Sequence, residues 1–262
     1  MNLIRIRGLV IRTVEVRESV RMMTVFSEEM GVVSAMARGA RSLKSRQFSA
    51  TMQYCYGQYV LAEKDGHYWV REAELIESFF DIRKTLPGLA LAAYICEVLS
   101  YVTTAEADRD LLRLSLNSLY AIGSGRYTAD TVKAAFEIRA CSILGFMPDV
   151  VACRQCGCRR GDFLLDVMDG SVLCFSCRDT WQAEEAAHAA AVDFRENRVV
   201  CLLSEGAKYA MEYCIFCPLE KIFSFRISDE DMRLFSKAAE TYLLHHLERT
   251  FKTLDFYYQV KS

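Results

Sequence analysis

Four cysteines stand in two CxxC pairs: Cys153-Arg154-Gln155-Cys156, then seventeen residues, then Cys174-Phe175-Ser176-Cys177. Thiolates spaced this way sit on tight turns and reach one ion together, and two such pairs complete a tetrahedral set. The chemistry they point to is a Zn2+ site. Four thiolates leave no open position for water, so the expected ion is structural rather than catalytic. Between the pairs, Phe163-Leu164-Leu165-Asp166 and Ser171-Val172-Leu173 flank Met168-Asp169-Gly170 and read as a hairpin. Knuckle, hairpin, knuckle is a zinc ribbon. It is too short to hold a core of its own, so its ion would supply folding energy. Cys158 adds a third thiol beside the first knuckle and leaves a ligand exchange open.

A second chemistry is electrostatic. The segment Arg38-Gly39-Ala40-Arg41-Ser42-Leu43-Lys44-Ser45-Arg46 carries four cations and no acid on a backbone rich in Gly and Ser. It has no apolar period and reads as an exposed loop. The bland reading is a solvated surface; the sharper one is a contact to a phosphate chain, with Arg12 and Arg17 as further contributors. Whole-chain charge conceals this loop. The net charge is −2, yet residues 1–50 hold nine Lys and Arg against four Asp and Glu, a balance of +5, so the remainder carries −7.

Other reactive types carry less. Cys214-Ile215-Phe216-Cys217 ends a helical, apolar run before Pro218, without the βαβ context a redox dithiol needs. Cys55, Cys96, Cys141 and Cys201 lie in apolar stretches and read as core. His245-His246, on the last helical stretch, reads as a surface pair. No Ser/His/Asp order, phosphate-binding loop or carboxylate pair calls for a catalytic reading, so an enzyme is not expected.

The elements that must hold these residues follow from periodicity. Alternation at 3–7 and 10–16, and the runs 20–26, 32–37, 53–61 and 68–76, make about five strands, which suggests a small closed barrel of the OB type. Such barrels bind single strands with cations and stacked aromatics. Tyr54, Tyr56, Tyr59, Tyr68 and Trp69 are candidates, although alternation buries half of any strand. From Leu86 the period becomes helical, over 89–100, 111–122, 128–144, 204–214 and 229–251. The expected fold class is α+β: an OB-fold over 1–80, a helical domain over 81–150 and 181–262, and the ribbon inserted at 151–180.

A membrane span needs about 20 apolar residues. The longest apolar run, Leu89 to Cys96, has eight, and arginines occupy the N-terminus where a signal peptide would be apolar. A cytoplasmic protein is expected, and its eleven cysteines are then not a disulfide framework.

Several motifs together resemble the bacterial RecO family of recombination mediators over nearly the whole length. They are Gly39-Ala40-Arg41 through Ser45-Arg46; Ala73-Glu74-Leu75-Ile76-Glu77-Ser78-Phe79; Ala93-Tyr94-Ile95-Cys96-Glu97; Phe136-Glu137-Ile138-Arg139 with Gly145 and Pro148; and Tyr242-Leu243-Leu244 with Lys252-Thr253-Leu254-Asp255-Phe256. Thr253 stands where the family commonly has Ser, which keeps the hydroxyl. The resemblance implies an OB-fold, a helical domain and an embedded zinc ribbon. It implies binding to single- and double-stranded DNA, strand annealing, and loading of RecA onto strands coated by single-strand-binding protein (SSB) in the RecFOR pathway. The implied partners are RecR and the acidic SSB tail, and the implied location is the nucleoid. That tail asks for a groove with cations beside apolar side chains; Lys133 and Arg139, six apart, do not share a helix face. Two rivals remain: a zinc-ribbon adaptor of the transcription or replication machinery, and a thiol oxidoreductase using Cys214 and Cys217.

Overall fold

The computed structural model describes residues 2–17, 20–40, 45, 47–103, 106–178 and 199–261. Its first element, β1 (Leu3–Arg17), is one strand where the alternation predicts two. Gly8 joins the halves: a Cβ there would lie 2.5 Å from the Phe26 carbonyl oxygen, so only glycine lets β2 (Val20–Ser27) approach. The length of β1 closes the barrel. Its first half pairs with β4 (Tyr56–Lys64) and its second half with β2, both antiparallel. β3 (Gly31–Arg38) pairs antiparallel with β2 and parallel with β5 (His67–Glu77), and β5 pairs antiparallel with β4. The closed order β1-β2-β3-β5-β4 is the OB-fold the strand pattern predicts. Ile6, Val10, Met23, Val25, Tyr59 and Leu61 fill the interior, each such side chain contributing about 1.5–3 kcal/mol on burial. Between β4 and β5, Asp65 and Gly66 both have positive φ, 54° and 74°, which makes the two-residue turn of a tight hairpin.

Two compact units divide the chain. The first contains residues 1–126 and 251–262, the second 127–250. This partition does not follow the boundaries at 80, 150 and 180 that periodicity suggests, because the first two helices pack on the barrel and the last helix of the chain packs on the first of them. In the first unit, α1 (Leu86–Val102) is capped by the Thr85 hydroxyl and α2 (Arg109–Ser124) by Asp108. The helix expected over 229–251 ends at His246, and a further helix beyond the expected end, α6 (Lys252–Val260), belongs to this first unit and packs on α1. Its N-cap, Phe251, has no side chain able to accept a hydrogen bond. The Glu97 carboxylate of α1 substitutes: one oxygen accepts from the Thr253 backbone N–H at 3.1 Å and from the Thr253 hydroxyl. A carboxylate at a helix N-terminus is favourable twice, as acceptor and as counter-charge to the dipole.

The second unit holds α3 (Ala129–Ile143), the strands β6 (Phe163–Asp166), β7 (Ser171–Cys174) and β8 (Val200–Leu203), then α4 (Glu205–Phe216) and α5 (Asp229–His246). The hairpin β6–β7 is where its sequence places it. The ribbon is not confined to 151–180, however: β8 pairs antiparallel with β6 and completes a sheet in the order β7-β6-β8. α3 packs on α5 with Lys133 fully buried, 2.9 Å from Glu137 and 2.5 Å from Glu240. A buried cation persists only when so paired. Arg139 donates to the Cys214, Ile215 and Cys217 carbonyls, the open C-terminal end of α4. Both cations are thus engaged in holding this unit together.

Candidate metal centre and nucleic-acid interface

The Cys153 knuckle is built by the backbone. The Cys153 N–H donates to the Cys158 carbonyl at 2.8 Å and the Gly157 N–H to the Cys153 carbonyl at 2.9 Å. Gly157 takes φ +73°, a value that favours glycine. The second knuckle is fixed by the sheet: Cys174 ends β7 opposite Phe163, and a short 3-10 turn, Phe175–Cys177, carries Cys177 back. The four sulfurs of Cys153, Cys156, Cys174 and Cys177 lie within 4.8 Å of one another. Cys156 and Cys174 are 3.6 Å apart, too far for a disulfide at about 2.0 Å. Metal–sulfur bonds of about 2.3 Å in a tetrahedron place sulfurs about 3.8 Å apart, so these residues fit a metal ion.

Thiol acidities agree with that geometry. Burial pushes Cys153 up, but hydrogen bonds from the backbone at Cys174, Cys156 and Gln155 outweigh it and bring it down to about 6. Cys177 is pushed up to about 12, first by its hydrogen bond with Cys156 and then by burial. Cys174 is also raised, first by burial, so a thiolate-favouring Cys153 beside two raised thiols is an arrangement a cation resolves. Cys158 is outside the cluster and its thiol faces the Arg160 carbonyl at 3.3 Å, which closes the ligand exchange in this geometry.

Cross-strand register defines the second site. Val33, Ala35 and Ala37 of β3 point inward, so Ser34, Met36 and Arg38 point out. The outer face then carries Arg12, Thr24 and Ser34 in one row; Val14, Met22, Met36 and Trp69 in the next; Val20 and Arg38 in the third. Arg12 and Arg38, both exposed, stand two rows apart, about 13 Å along the strands at about 3.3 Å per residue. They bracket an apolar row that ends in Trp69. The Arg38 guanidinium lies 4.1 Å from the Trp69 ring centroid.

Arg41, Lys44 and Arg46 lie outside the described residues, as does the side chain of Arg17, a strand residue of β1. The five aromatic candidates separate. Tyr54 and Tyr59 are buried, Tyr59 donating to the Ala50 carbonyl at 2.7 Å. Tyr56 donates to Glu28, Tyr68 packs on the core, and Trp69 alone of the five joins the outer row. Arg21, equally basic in the sequence, points inward; it bonds Glu15 at 2.9 Å and the Thr51 hydroxyl at 3.2 Å. Lys64 and His67, cross-strand partners beside the Asp65-Gly66 turn, were not singled out by their sequence pattern. The signal was present: an Asp-Gly hairpin flanked by two basic-type residues, at the β4–β5 loop where such barrels take ligands.

Burial raises both Cys214 and Cys217, opposite to what a redox dithiol requires. His246 is not a surface group. It hydrogen-bonds the Val167 carbonyl at 3.0 Å and stacks on Phe146, and burial lowers its pKa. Among the described residues, no helix is long and apolar enough to cross a membrane.

Comparison with known proteins covers both units. The family model described as Recombination protein O N terminal matches residues 1–79, and that described as Recombination protein O C terminal matches residues 83–255. A curated protein of Acetivibrio thermocellus named DNA repair protein RecO is 31% identical over 258 residues, 98% of this chain and 96% of its own. One of the same name from Caldicellulosiruptor saccharolyticus is 26% identical over 263 residues and covers both chains completely.

Proposed function

The chain belongs to the RecO family, with a role in DNA repair and recombination, and from that premise we propose that it binds single- and double-stranded DNA, anneals complementary strands, and helps load RecA onto SSB-coated single strands in the RecF pathway. RecR and the acidic SSB tail are its partners in this reading, and its place is the cytoplasm, at the nucleoid.

The observation that carries the reading is the outer face of the barrel, where Arg12 and Arg38 bracket the row ending in Trp69. Annealing breaks no covalent bond, so no catalytic residue is assigned. Two strands repel through their phosphates, and cations that neutralise both let bases meet. Arg38, Arg41, Lys44 and Arg46 supply most of that charge, with Arg12 and Arg17 beside them. The residues Cys153, Cys156, Cys174 and Cys177 would hold one zinc ion, which when bound supplies folding energy to the three-stranded ribbon.

The test is annealing of complementary strands precoated with SSB. The reading expects the protein to accelerate pairing, and zinc-ribbon adaptors or thiol oxidoreductases would not. A rate equal to that without protein, at concentrations that saturate binding, would overturn it.

A further inference from the structure

A cleft of about 340 Å³ opens beside Trp69 at the turn end of β4 and β5, lined by Arg38, Lys64, Asp65, His67, Trp69 and Arg71. Three strands build it. Trp69 stands between Met36 on β3 and Ala62 on β4, on the outer face. Lys64 and His67 face each other across the Asp65-Gly66 turn and are exposed. One carboxylate, Asp65, shares the rim. Among the described residues Arg38 meets no carboxylate within ion-pair distance; the indole is what it rests on. An exposed cation–π contact is weaker than a nucleobase stacked on an aromatic ring. Arg38 can therefore yield its place over the ring and turn to a phosphate.

We propose that this cleft receives one unpaired nucleobase, stacked on Trp69, with Arg38 and Lys64 on the flanking phosphates, and that it sets a preference for single strands. The inference rests on the DNA-binding reading above and deepens it. A base inside a duplex already has both faces stacked and its edge paired, so it cannot enter. Once two strands have annealed, each base leaves the indole, and the product duplex is held by charge alone. The same residue that gathers single strands thereby favours release of the product.

The sequence has two tryptophans, Trp69 and Trp181, so the full chain carrying Trp181→Phe reports on Trp69 alone. Its fluorescence is followed while a thymine 12-mer, or a mixed-sequence duplex of equal length, is added at low salt. Binding is read in parallel from the anisotropy of end-labelled strands. The expected result is quenching by the single strand and none by the duplex. In the wild-type background, Trp69→Ala should weaken single-strand binding about 10-fold with the salt slope and duplex affinity unchanged, and Trp69→Phe should recover most of the loss. Anisotropy binding without quenching, or an equal loss on duplex, would overturn the stacking site and leave the DNA-binding reading standing. Absence of any binding by anisotropy would overturn both.

Discussion

Removing the Glu97 carboxylate should detach the start of α6 from α1. Glu97 offers one oxygen to two donors of Thr253, backbone N–H and hydroxyl. A hydrogen bond to a charged group contributes about 1.5–3 kcal/mol, and an anion at a helix N-terminus about 0.3–1 kcal/mol. Both donors share one carboxylate oxygen, so their contributions do not add, and Glu97→Ala should cost about 2 kcal/mol. Glu97→Gln keeps an acceptor and loses the charge, and should cost about half of that. Thr253→Ala should cost about 1 kcal/mol, while Thr253→Ser keeps both donors and should be nearly neutral. The decisive quantity is the coupling in the Glu97→Ala/Thr253→Ala cycle, read from urea unfolding, expected at about 1 kcal/mol. Additive single effects would refute the capping account, and so would a Thr253→Ser variant as damaged as Thr253→Ala.

Cys153→Ser and Cys174→Ser should each abolish stoichiometric zinc in freshly purified protein, by elemental analysis, and lower the melting temperature; Cys158→Ser should retain both, because its thiol faces away from the cluster. Part of the DNA binding, which the proposal places on the barrel, should survive the loss of the ion. Asp231 accepts from the Ser204 and Ser228 hydroxyls, which hold its pKa below the ordinary value; these bonds join the N-caps of α4 and α5. Its stabilising effect is therefore present above about pH 4 and lost as pH falls through the lower folded value. Asp231→Asn should be less stable than wild type at pH 7, and the gap in denaturation midpoint should narrow below about pH 4; a constant gap would contradict the assignment.

Local pattern carried much of this architecture. Two CxxC pairs and alternating strands need only nearest neighbours to be legible, and both survive in the folded chain. What escaped depends on distance along the chain or on register. β8 joins β6 from some thirty-five residues away, and no feature of Val200–Leu203 names its partner. Glu97 caps a helix 156 residues later. Arg21 and Arg38 look alike as letters, yet parity along β2 and β3 turns one into the barrel and the other out. The bulge opposite Val60 and Leu61 shifts the alternation of β5, so Tyr68 and Trp69 could be assigned to faces only with pairing in hand. Lys133, weighed with Arg139 for an acidic-tail groove, is closed off by Glu137 and Glu240, partners that sequence spacing alone does not bring together.

The central claim is that the outer face of the barrel holds single-stranded DNA through its phosphates. Its most direct test is the slope of log affinity against log salt for a short single strand. If Arg12 and Arg38 each neutralise one phosphate, Arg12→Gln/Arg38→Gln should reduce the slope by about 1.4, and also neutralising Arg41, Lys44 and Arg46 should reduce it by about 3.5 in all, at about 0.7 per contact. A slope that stays at the wild-type value in both variants would contradict the account.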